Sequence, residues 1–141
     1  MTGIKTEKIY DKKGNLLVLI LREGDYPEGL KFYNDDRDFI QVGTWHYQKG
    51  QKIQGHNHLV FERISRRTQE VVYLKSGKIK AGIYDEQDNL VTTVILAKGD
   101  IIIFLAGGHD FEILEDNTQV FEVKNGPYAG VEKDKRKFHE K

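Results

Sequence analysis

The chain has 141 residues, 22 Lys plus Arg balanced by 22 Asp plus Glu, and no cysteine. This length suits a single domain, and zero net charge without a basic stripe argues against nucleic acid as a partner. The absence of thiols excludes disulfides, thiolate metal sites and a cysteine nucleophile. The aliphatic residues are mainly β-branched, with 13 Ile and 10 Val against 4 Ala and 1 Met, and 14 glycines punctuate the chain. Such residues favour pleated, half-buried surfaces, so composition alone predicts an all-β domain.

In chain order, residues 1–8 are polar and mixed in charge, with no apolar stretch of the kind a signal peptide needs. Residues 4–10 and 16–22 read as a hairpin around the turn at 11–15. A loop at 23–29 and a polar turn at 34–38 precede an expected strand over 39–47. Further strands are expected over 69–74, 78–84, 90–96, 101–105, 111–114 and 119–124, separated by glycine or acidic turns. About ten short strands at this spacing predict a barrel or sandwich. Residues 125–141 form a tail whose end, 131–141, is nearly all charged and is expected to be frayed or extended rather than a docked helix. The longest apolar runs, 16–21 and 101–106, are too short to span a bilayer, so no membrane association and a cytoplasmic location are expected.

Five histidines are present. His46 and His139 read as ordinary surface or hydrogen-bonded residues. His56 and His58 are different, because alternate side chains of an extended segment share a face and two imidazoles there can chelate one cation. Glu70 heads a strongly apolar strand and shares parity with Val72 and Leu74. An inward ionised carboxylate would be costly unless paired or bound to a cation. His109 follows a glycine turn and shares parity with Phe111 and Ile113, which points it inward, where an imidazole needs a partner.

These residues resemble the cupin pattern, that of a small double-stranded β-helix or jelly-roll barrel. Gly50, five residues, His56 and His58, then Glu70, six residues and Gly77 are similar to the first cupin motif. Gly99-Asp100 through Leu105-Ala106-Gly107-Gly108-His109 is similar to the second. The resemblance covers about 44–124, with 1–43 as preceding strands and loops. It implies one divalent transition metal ion per chain, Fe, Mn, Ni or Zn, bound by His56, His58, Glu70 and His109. The chain departs from the pattern in having eleven residues, Leu59 to Gln69, between His58 and Glu70, and Leu105 where proline is usual. Arg66-Arg67-Thr68-Gln69-Glu70, Gly107-Gly108-His109 and Asn125-Gly126-Pro127-Tyr128 are similar to a group of small WbuC-like cupin metalloproteins, some associated with bacterial surface-sugar biosynthesis.

Arg66 shares parity with Glu70 if the strand extends that far. An inward guanidinium would favour an anionic small-molecule ligand. Gln54 has the parity of the histidine pair and is a candidate to touch a ligand or support a histidine. Tyr47 is a further candidate for the pocket. Glu112 has the wrong parity, and the acidic turn at 85–89 reads as a solvated hairpin tip. The reading is therefore a small-molecule metalloenzyme acting on an anionic or sugar-derived substrate. The alternatives are a metal-free sugar-nucleotide ketoisomerase using a histidine pair, and a non-catalytic ligand-binding or sensor module. A homodimer is expected, because the N-terminal hairpin offers a strand edge that needs protection.

Overall fold

In the computed structural model, which describes residues 6–139, the chain forms ten strands and one helical turn. In order these are β1 (Glu7–Tyr10), β2 (Leu16–Leu21), β3 (Gly29–Phe32), β4 (Gly43–His46), β5 (Glu70–Ser76), β6 (Lys78–Tyr84), β7 (Leu90–Ala97), β8 (Ile101–Phe104), β9 (Gly108–Ile113), β10 (Gln119–Lys124) and α1 (Val131–Asp134). The all-β reading holds, and every strand pairing is antiparallel. Residues 4 and 5 of the first expected strand lie outside the described residues.

A five-stranded sheet runs β1-β2-β8-β5-β10, a three-stranded sheet runs β7-β6-β9, and β3 pairs with β4. Val18, Ile20, Val72, Leu74 and Ile102 of the large sheet join Ile79, Ala81, Ile83 and Leu96 of the small one in the main core. On its other face the large sheet buries Leu19, Leu21 and Ile103, with Tyr33 and Val42 packed against them. Covered on both faces, β2 reads as an unbroken apolar run, as a doubly buried strand must.

The expected strand over 39–47 is shorter than its residues suggest, because side chains take the backbone groups it needs. Gln69 Oε1 accepts the N–H groups of Phe39 and Ile40, at 2.7 and 3.1 Å. Asn34 Oδ1 accepts that of Val42 at 3.0 Å. β3 is not among the expected strands, since four residues between polar turns carry too little alternation to read. Gly99-Asp100 serves the fold. The buried Asp100 carboxylate accepts the N–H groups of Glu23 and Ala97, both at 2.9 Å, and pairs with Arg22 at 3.0 Å.

The tail corrects its expectation. Arg136 makes a two-pronged bond to Asp88 at 2.8 and 2.9 Å, and Phe138 packs on Tyr84 with ring centroids 4.3 Å apart. Asp134 accepts the Thr68 hydroxyl. The charged tail docks through Asp88, whose carboxylate accepts the Arg136 fork and the His139 N–H. Asp88 is therefore covered rather than a solvated hairpin tip, its side chain only 8% exposed.

Between β4 and β5 the chain forms no strand or helix over residues 47–69, and residues 47–68 are exposed throughout. This arm carries His56 and His58. Among the described residues no helix is long and apolar enough to cross a membrane.

Candidate functional site

Glu70 opens β5, and strand register sets its neighbours. Phe104 of β8 lies opposite it on one side and Lys124 of β10 on the other. The same register puts Glu122 beside Val72, on the face Glu70 shares. His109 lies opposite Ile83 in the small sheet, on the inward face with Phe111. Gly107 makes this placement possible. Its φ of 75° suits glycine, and a Cβ there would lie 2.2 Å from the Tyr84 carbonyl oxygen.

The two sheets thus bring His109 Nε2 to 3.5 Å from Glu70 Oε2, with both side chains largely buried. The imidazole stacks on Phe104, ring centroids 4.1 Å apart, with Phe111 at 5.1 Å. Burial pushes the Glu70 carboxyl up to about 8, and the neighbouring Glu122 carboxyl adds to the shift. Glu122 is held low, chiefly by its contact with Glu70, so one proton serves both carboxyls and resides on Glu70. Burial also lowers His109, keeping the imidazole neutral.

The pair opens into a cavity of about 1420 Å³. The end of the arm from Arg63 to Thr68 forms one wall, and the tail from Lys133 to Phe138 another. Asn125 fixes the arm's end, accepting the Gln69 N–H at 2.7 Å and donating to the Arg67 carbonyl at 3.1 Å.

Of the residues singled out in the sequence, Glu70, His109 and Arg66 meet at this cavity. His56 and His58 lie together on the arm, ring centroids 5.2 Å apart, and neither lines the cavity. His56 Nδ1–H donates to the Gln54 carbonyl at 2.9 Å, which leaves the Nε2 lone pair free. That contact uses the Gln54 backbone and not its side chain, and Gln54 does not line the cavity. Tyr47 lies past the end of β4, tilted against Trp45 at 6.5 Å, and does not line the cavity. Glu112 is exposed and pairs with Lys80 at 3.0 Å, as its parity implied. His46 Nδ1 bonds the Tyr26 carbonyl at 2.9 Å.

Sequence reasoning missed Glu122, Lys124 and the tail lysines. The alternation Val120, Glu122, Lys124 mirrors that of Glu70, Val72, Leu74 and was the available signal, but only strand pairing shows that the two rows meet.

A cation fits the donor chemistry of the buried pair. Two donors bound about 2.1 Å from one ion at tetrahedral to octahedral angles sit about 3.0–3.4 Å apart, close to the 3.5 Å observed. Among the described residues no three His, Asp or Glu side chains form a group able to hold a metal. No protein-family model, curated protein or solved structure matches the chain.

Proposed function

We propose that this protein is a metal-binding cupin. With a metal bound, the arm would seat against the open side of the two sheets, and His56 and His58 would join Glu70 and His109 in holding one divalent Fe, Mn, Ni or Zn ion. The observation that carries this reading is the buried Glu70–His109 pair, a carboxyl and a neutral imidazole 3.5 Å apart at the mouth of a cavity. His56 supports it, since its hydrogen bond leaves Nε2 ready to donate. When bound, such an ion would supply Lewis-acid or redox chemistry to a small molecule.

The chain's own residues supply the rest. Arg66 at the wall offers a fork for an anionic group. Glu70 and Glu122 share a proton that can be given or taken at the pocket. Phe104 and Phe111 shield the imidazole from water.

Elemental analysis after reconstitution tests the reading. About one metal per chain is expected, and His56→Ala and His109→Ala should each weaken binding at least about tenfold. No binding by the wild type, or binding lost in only one variant, overturns the four-ligand set. We also propose a homodimer. Among the described residues β1 pairs only with β2, leaving its outer edge for a second copy. A mass that stays monomeric across a wide concentration range in sedimentation velocity would exclude this.

A further inference from the structure

We infer that the docked C-terminal tail builds an anion subsite into the cavity, in which Lys135 and Lys133 of the tail and Arg66 of the arm hold a phosphate group of a small-molecule ligand. The inference deepens the functional reading above and rests on the same cavity.

Eight Lys and Arg side chains line the wall against five Asp and Glu. Three of these cations have ion-pair partners in the structure. Arg67 pairs with Glu86 at 2.8 Å, Arg136 with Asp88 at 2.8 Å and Lys124 with Glu122 at 3.2 Å. The acids are engaged in turn, Asp134 by the Thr68 hydroxyl and Asp85 by the N–H groups of Gln87 and Asn89. Among the described residues Arg66, Lys133 and Lys135 have no ion pair. The cavity therefore keeps a surplus of cations without an ion-pair partner, drawn from two segments far apart in sequence, and Lys135 also faces the Glu70–Glu122 pair.

Lys135 is also held in place. Asp134 before it is tied to Thr68, and Arg136 after it to Asp88. Its backbone N–H closes the helical turn on the Val131 carbonyl at 2.8 Å. A lysine fixed on both sides loses less freedom on binding than one on a free tail. Several separate cations suit a phosphate dianion, with its three acceptor oxygens, better than a carboxylate, which one arginine fork can satisfy. A phosphate at this wall would leave the rest of the ligand to extend toward Glu70 and His109. The cavity exceeds the roughly 300–1,000 Å³ of common small-molecule pockets, so both ends have room.

The test is a titration of the full chain with inorganic pyrophosphate, followed by calorimetry and by backbone amide NMR shifts. Saturable binding with shifts at 66–68 and 133–137 is expected. Lys135→Ala and Arg66→Ala should each weaken it about fivefold or more, Lys135→Arg should restore most of it, and Lys98→Ala, outside the cavity, should leave it unchanged. Metal content should be unaffected by Lys135→Ala. Absence of saturable binding up to about 10 mM, equal affinity in Lys135→Ala, or tighter binding of citrate than of pyrophosphate would each overturn the inference. Pyrophosphate binding that depends on Lys135 in a chain that takes up no metal keeps the subsite and removes the metal reading. Metal uptake without pyrophosphate binding does the reverse.

Discussion

Without added metal, the wild-type protein should lose stability as the pH rises from 6.5 to 8, and Glu70→Gln should abolish that loss. Unfolded, the Glu70 carboxyl gives up its proton near its ordinary value of 4.5, whereas folded it keeps the proton to about 8. Between those values the folded state holds a proton that the unfolded state has released, so each rise in pH favours unfolding. His109 acts in the opposite sense but in a lower window. Its folded value is depressed below 6.5, so its cost is felt only at acid pH and is gone above 6.5. Facing the pair, Glu122 is held low by its contact with Glu70 and Lys124 is raised beside Glu122, so both keep their charges across the window. At about 1.4 kcal/mol per pH unit for one proton, the loss over 1.5 units is about 2 kcal/mol.

For a chain of this size that is a fall of about 5 °C in Tm. The glutamine amide reproduces the neutral carboxyl and its donation to Glu122, so the variant should show a flat profile and be the more stable protein at pH 8. A saturating divalent metal should flatten the wild-type profile too, by giving the carboxylate a cation. Thermal unfolding at four pH values, with and without metal, reads all of this. A wild-type profile that stays flat or rises toward pH 8 without metal would mean that the folded state holds no extra proton on Glu70 and remove the basis for the prediction.

The parts of the fold and site legible in the sequence are those that strand parity controls. Glu70, Val72 and Leu74 share a buried face, and His109 lies on the inward face with Phe111, because side chains alternate whatever the partner strand. The N-terminal hairpin was legible because its turn carries Asp11, whose carboxylate takes the N–H groups of Lys13 and Asn15. Features set by distant partners were not legible. Gln69 draws backbone groups of 39 and 40 out of strand pairing from 30 and 29 positions away. Glu122 and Lys124 reach Glu70 only through the β5–β10 register. The docking of the tail depends on Asp88 and Tyr84, which charge patterning alone does not link to Arg136 and Phe138.

Metal binding should protect the arm from proteolysis, because the arm and the open side of the sheets complement each other. Leu59, Phe61 and Ile64 of the arm are 81, 60 and 72% exposed, an unfavourable state for large apolar side chains. A connection this long without regular structure is unusual in a compact domain. Across from it, β9 and β10 each end a sheet, and Phe111, Ile113 and Val120 are exposed on the inward faces. Charge agrees. Residues 48–68 carry five Lys or Arg and one Glu, whereas residues 108–124 carry five Asp or Glu and one Lys. Strand addition along these edges would cover both sets of apolar residues and carry His56 and His58 toward Glu70 and His109.

Trypsin has sites in the arm at Lys49, Lys52, Arg63, Arg66 and Arg67. With metal about 100-fold above its Kd, linkage allows up to about 100-fold slower cleavage there. His56→Ala should lose that protection. Cleavage of the arm at an unchanged rate in a protein that has bound its metal would mean that the histidine pair stays apart from Glu70 and His109.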